Sequence, residues 1–177
     1  MKIVRSTLMR AAGPALVAGL VATSLAAPAA AAPAPGSTAF RILGGLAGLQ
    51  ARAGVANTVT ASVSGTHLRL SDTTGIAIGP GCTRVDATTA DCGPVATVAW
   101  LTVALGDGND SFDGTTAPVS AIVDAGTGTD SVTTNGKNDL IDVEDNAGGD
   151  SVNCGGGSDT VFADTADSVN ANCETRF

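Results

Sequence analysis

The sequence predicts an all-β chain: a parallel β-solenoid over the C-terminal half and a small N-terminal β cap covering its open end. Three observations carry this expectation. An Asp, one intervening residue and a large apolar residue recur as Asp110/Phe112, Asp130/Val132, Asp139/Ile141, Asp150/Val152, Asp159/Val161 and Asp167/Val169. Corners rich in Gly or Asn precede these dyads, among them Gly106-Asp107-Gly108-Asn109, Gly126-Thr127-Gly128-Thr129 and Gly155-Gly156-Gly157-Ser158; such residues tolerate the positive φ that repeated tight corners require. The acids are also unevenly spread. Residues 33–104 hold Asp72, Asp86 and Asp91 against four arginines, whereas residues 105–177 hold 14 acids against Lys137 and Arg176, the asymmetry of two different segments.

Residues 1–32 have the layout of a secretory signal peptide. Met1 to Arg10 carries Lys2, Arg5 and Arg10 and no acid, Ala15 to Leu25 is a run of small apolar residues, and Ala26 to Pro33 offers A-x-A cleavage choices within 29–32. A membrane anchor would need about 20 apolar residues without proline and small-residue punctuation. The chain is therefore expected to be exported, without a membrane span. Removing the three cations from a formal net charge of −8 leaves the exported chain near −11.

Residues 33–54 include the glycine-broken apolar run Phe40 to Gln50 and read as a linker or short capping segment. From 55 to 104 the pattern alternates: Val59-x-Ala61-x-Val63, Leu68-x-Leu70 and Ile76-x-Ile78 are separated by turn residues, the signature of strands in a β cap. Val98 to Leu105 is a further strand running into the first repeat. His67 is expected as an exposed turn residue, and Trp100 as the side chain that packs the cap onto the first layer.

Across 105–177 the gap from Asp110 to Asp130 is twice the usual step, and Ser120-Ala121-Ile122 falls at its midpoint as a turn that has lost its Asp; the remaining steps are 8 to 11 residues. A glycine-rich corner at that interval would interrupt any helical stripe. Strands so short gain support only by stacking, each pairing in parallel with the strand two turns on. A ladder of Phe112, Ile122, Val132, Ile141, Val152, Val161 and Val169 then supplies roughly 1.5–3 kcal/mol per side chain. That is a thin core for 73 residues. Something further must hold the corners.

The stretches Gly106 to Phe112, Gly126 to Val132 and Gly155 to Val161 resemble the calcium-binding RTX nonapeptide repeat, G-G-x-G-x-D-x-U-x. Because of the N-terminal signal, the likeness is closer to short exported actinobacterial-type proteins with this hemolysin-type calcium-binding repeat than to the Gram-negative RTX group. It covers about 40% of the chain and implies a parallel β-roll in which corner carbonyls and the repeat's Asp hold Ca²⁺ between alternate turns on one side. Carried over by position, the implied metal residues are Gly106, Gly108, Asp110, Gly126, Gly128, Asp130, Asp139, Asp150, Gly155, Gly157, Asp159 and Asp167. Asp110 pairs with Asp130 and Asp139 with Asp159, with Asp130/Asp150 and Asp150/Asp167 as further pairs. The pattern is departed from at Asn135-Gly136-Lys137, at Asn146-Ala147-Gly148-Gly149, at Ser120, and in a shortened final unit. Ca²⁺ takes six to eight hard oxygens, which acidic corners with bent-out carbonyls can supply.

Four cysteines in an exported chain read as two bridges, Cys82–Cys92 and Cys154–Cys173, because this pairing needs no contact between the halves and places the second pair about two turns apart. Neither pair has the close spacing of a zinc site. With 3% aromatic residues and an acidic charge, nucleic acid is excluded as a partner. The reading is of a monomeric, non-catalytic protein that calcium folds and stabilises. The alternative is a calcium-independent structural or adhesive surface protein whose Asp residues form Asx-turns. A polysaccharide-active enzyme is disfavoured: Asp142 and Glu144 could pair as acid and base, but no Arg or Lys cluster accompanies them.

Overall fold

The computed structural model describes residues 33–177, which form one compact unit; the signal-like segment 1–32 lies outside the described residues. Where a linker or short capping segment was expected, β1 (Ser37–Ile42) and β2 (Leu46–Ala51) form an antiparallel hairpin. The glycines that break the apolar run explain this. Gly44 and Gly45 take positive φ, and so turn the chain back on itself. The alternating segment gives β3 (Thr58–Ser64), β4 (His67–Asp72) and β5 (Ile76–Ile78), followed by β6 (Thr83–Arg84), β7 (Thr89–Pro94), a 3₁₀ turn (Val95–Thr97) and β8 (Trp100–Ala104). Of the predicted inward positions, Val59, Ala61, Leu68, Leu70 and Ile76 are fully buried, and Val63 and Ile78 half-buried.

The repeat half contributes β9 (Ser111–Asp113), β10 (Ser120–Asp124), β11 (Ser131–Thr133), β12 (Leu140–Asp142), β13 (Ser151–Asn153), β14 (Thr160–Phe162), β15 (Ser168–Val169) and β16 (Thr175–Arg176). Successive strands alternate between two eight-stranded sheets, ordered β16-β14-β12-β10-β8-β2-β1-β5 and β15-β13-β11-β9-β3-β4-β7-β6. Each repeat strand pairs in parallel with the strand two turns away, as in the register Val132↔Phe112 and Val132↔Val152. The N-terminal half joins both sheets. β2 pairs in parallel with β8, and β3 with β9.

The apolar side chains line two ladders rather than one. Phe112, Val132 and Val152 are buried on one sheet, and Val103, Val123, Ile141 and Val161 on the other. Ile122, expected in the ladder, is 37% exposed, while Ala121 and Val123 are buried. The corner from Asp113 to Val119 is longer than the sequence suggested, and a one-residue shift exchanges the faces of a strand. Ala121, not Ser120, therefore stands opposite Asp139.

Two other expectations are corrected. Trp100 is 45% exposed, because the inward positions of β8 belong to Leu101 and Val103. His67 is not a turn residue but opens β4, opposite Ser64, with Nδ1 2.9 Å from Asp91 Oδ2. Both disulfides form, Cys82–Cys92 and Cys154–Cys173. Among the described residues no helix is long and apolar enough to cross a membrane.

Candidate functional site

The recurring Asp residues stand just before their strands, and the parallel register stacks them in two columns. Asp110, Asp130, Asp150 and Asp167 fall in one column; Asp139 and Asp159 fall in the other. All six are buried. In the first column the N–H of Asp110 donates to Asp130 Oδ1 at 2.7 Å, that of Asp130 to Asp150 Oδ1 at 2.7 Å, and that of Asp150 to Asp167 Oδ1 at 3.2 Å. In the second, the N–H of Ala121 donates to Asp139 Oδ1 at 2.7 Å and that of Asp139 to Asp159 Oδ1 at 2.8 Å. Every pair singled out from the sequence is thus brought together.

The other carboxylate oxygen is the unusual feature. Oδ2 of Asp110, Asp130, Asp139, Asp150 and Asp159 is buried without a hydrogen-bond partner. Buried polar atoms are nearly always paired, and an unpaired one asks for a proton, a water or an ion. No base supplies the compensation. Among the described residues the ion pairs are His67–Asp91 and Arg69–Asp91, away from both columns. Burial accordingly pushes the carboxyls of all five residues above their ordinary range. Asp130 is raised to about 6, first by burial and then by the charges of Asp110 and Asp150 on either side, against the lowering effect of the Asp110 N–H.

The corners stack as closely as the strands. Gly106, Gly108, Gly126, Gly128, Gly155 and Gly157 all adopt positive φ. At Gly126 and Gly128 the requirement is twofold: φ is +86° and +149°, and an added Cβ would lie 1.9 Å from the Gly106 carbonyl oxygen and 1.6 Å from that of Gly108. The backbones are bonded directly across this contact, Thr127 N–H to Gly106 O at 2.8 Å and Gly108 N–H to Thr127 O at 3.0 Å. Lys137, which interrupts the pattern, is exposed at its corner.

Sequence reasoning missed the ends of both columns. Asn57 heads the first, its N–H donating to Asp110 Oδ1 at 2.6 Å, and Glu174 closes the second, accepting the Asp159 N–H at 2.9 Å. A signal for the former was present, since Asn57-Thr58-Val59 is the Asp-x-apolar dyad with an amide for the acid. Glu174-Thr175-Arg176 lacks the apolar member and carries no comparable signal. Asp142 and Glu144 are both exposed, and the Glu144 N–H donates to Asp142 Oδ1 at 3.1 Å, an Asx-type turn rather than two carboxylates facing across a cleft.

No family model, curated protein or solved structure matches the chain.

Proposed function

We propose that the protein is an exported calcium-binding repeat protein, in which Ca²⁺ folds and stabilises a parallel β-roll without taking part in catalysis. The observation that carries this reading is the set of five buried Oδ2 atoms, stacked in two columns without a hydrogen-bond partner or an ion-paired base among the described residues. A hard divalent cation satisfies such oxygens and removes the repulsion between successive carboxylates.

The donor set fits Ca²⁺ and not a softer metal. The unpartnered atoms are all carboxylate oxygens, and among the described residues no group of three or more His, Cys, Asp or Glu side chains is placed to hold a metal ion by itself. Each cation would thus be held by neighbouring Asp carboxylates of a column, with the rest of its shell from backbone carbonyls or water, all oxygen ligands that Ca²⁺ accepts. The cation would supply charge compensation at the corners and nothing else. The remaining stability comes from the chain itself: the Asp-to-backbone ladders, the two apolar ladders and the disulfides. The two bridges suit an oxidising, extracellular setting.

A second reading rests on a specific observation. Each Asp already accepts a backbone N–H through Oδ1, so the ladders could serve as structure in a calcium-independent surface protein. A calcium titration of the oxidised protein separates the two, followed by calorimetry and by far-UV circular dichroism after chelation. Saturable binding with a gain in β signal is the expected result; no heat and a β signal indifferent to chelator would move the assignment to the second reading. Extracellular Ca²⁺ modules bind at roughly 10⁻⁴–10⁻³ M, which sets the concentration range.

A further inference from the structure

The first Asp column does not end where the repeats end. β3 pairs with β9 in the register Thr58↔Ser111, which sets Asn57 against Asp110 as Asp110 is set against Asp130. The bond is also the same, from the Asn57 N–H to Asp110 Oδ1 at 2.6 Å. Asn57 is thus a rung of the column contributed by the N-terminal half.

What surrounds this rung differs from the repeats. The Asn57 Nδ2 donates to Asp72 Oδ2 at 2.7 Å and to Thr74 Oγ1 at 3.0 Å. These two acceptors orient the amide, because exchanging its nitrogen and oxygen would set oxygen against a carboxylate. The amide oxygen, Oδ1, is then left buried without a donor, and so is Asp110 Oδ2. Asp72 is the last residue of β4 and is fully buried, accepting the Thr74 N–H at 3.0 Å and the Thr74 hydroxyl at 2.8 Å besides the Asn57 amide. Asn57, Asp72 and Asp110 are exposed by 1%, 0% and 3%. None of the described bases pairs with either carboxylate. Two buried carboxylates linked through one asparagine, Asp110 by its main-chain N–H and Asp72 by its side-chain amide, with two orphaned acceptor oxygens and no counter-cation, leave a negative charge that burial makes costly.

We propose that Asn57, Asp72 and Asp110 form a calcium site at the junction of the N-terminal half with the first repeat, Asn57 and Asp110 binding through their unpartnered oxygens. The inference rests on the calcium reading of the repeats and extends it outside them. Carboxylate and amide oxygens are hard ligands, and a divalent cation matches two carboxylates. Asn57 is a ligand that holds a position without adding charge. A cation here would tie β3 and the end of β4 to β9, so that the N-terminal half becomes rigid in calcium together with the repeats.

The test is metal stoichiometry by calorimetry and native mass spectrometry on the oxidised protein with Ca²⁺, comparing wild type with Asn57→Leu, Asn57→Asp and Asp72→Asn. Asn57→Leu should bind one Ca²⁺ fewer while the others keep their affinity. Asn57→Asp should keep the wild-type count and bind its tightest ion at least tenfold more strongly, having gained a carboxylate. Should Asn57→Leu fail to fold, Asp72→Asn gives an independent reading, with at least a tenfold loss at one ion only. An unchanged count in Asn57→Leu, or unchanged affinities in both Asn57→Asp and Asp72→Asn, would overturn the junction site and leave calcium binding by the repeats standing. A wild-type protein that binds no Ca²⁺ would overturn both.

Discussion

Asp130 occupies the middle of its column, with a carboxylate above and another below, and it is where the chemistry of a single residue can be read most directly. Replacing it with Asn keeps the Oδ1 acceptor for the Asp110 N–H and removes a buried charge that stands between those of Asp110 and Asp150. An uncompensated buried charge costs about 1–3 kcal/mol or more. Asp130→Asn should therefore melt higher than wild type in chelator by about that much. On the proposed calcium reading the order should reverse in calcium, because a ligand to two neighbouring intervals would be lost, and calorimetry should show this variant among the weakest binders. The pH dependence follows from the raised carboxyls. A carboxyl whose folded-state pKa lies above its unfolded value holds a proton in the folded chain at pH values where the unfolded chain has released it, so stability falls as pH rises through that interval. For Asp130 the interval runs from its ordinary value of 3.8 to about 6. In chelator the melting temperature should rise as pH is lowered from 7 to 4.5. In calcium it should fall over the same range, since protons compete with the metal.

At the scale of the element, the strands are short and their identity depends on which face each residue takes. Ile122 and Ile141 belong to neighbouring paired strands, yet Ile141 is fully buried and Ile122 is 37% exposed. Ile141→Ala should cost about 2–5 kcal/mol and Ile122→Ala within about 0.5 kcal/mol, both measured by denaturant unfolding. Equal costs would place Ile122 in the core after all. The corner elements carry a different constraint. Gly128→Ala combines a strained φ of +149° with a Cβ 1.6 Å from the Gly108 carbonyl oxygen. It should destabilise by about 2 kcal/mol or more, with hydrogen exchange accelerated first around β9 and β11. The one-residue error at Ile122 shows where sequence periodicity loses its grip. A missing Asp was visible between Asp110 and Asp130, but the length of the corner was not, because Ala117 and Val119 turn inward within it and bury two apolar side chains outside any strand.

For the whole molecule, each inner repeat strand has a paired strand on either side, whereas β15 and β16 stand at the edges of their sheets with a neighbour on one side only. The Cys154–Cys173 bridge ties the corner before β14 to the corner before β16. Its reduction should remove about 3 kcal/mol. Hydrogen exchange should then rise across residues 168–177 while β3, β4 and β7 stay protected, provided the Cys82–Cys92 bridge is left intact; uniform acceleration would mean that the stack unfolds as a single unit.

Much of this was present in the sequence because it depends on local chemistry. Glycine and asparagine mark corners by their tolerance of positive φ, alternation marks strands by its period of two, and the spacing of Asp-x-apolar units brings Asp110, Asp130 and Asp150 to equivalent positions. The all-β class, both disulfide pairings and the alignment of the Asp residues followed from those rules. Tertiary structure decided what depends on long-range register. It turned residues 37–51 into a hairpin that extends a sheet, set His67 into a strand beside Asp91, faced Trp100 outward, and made Asn57 and Glu174 the ends of columns. The physical reason is that a residue's partner in a stacked parallel sheet lies some twenty or, between the halves, some fifty positions away, and only the packed register says which two residues share a rung.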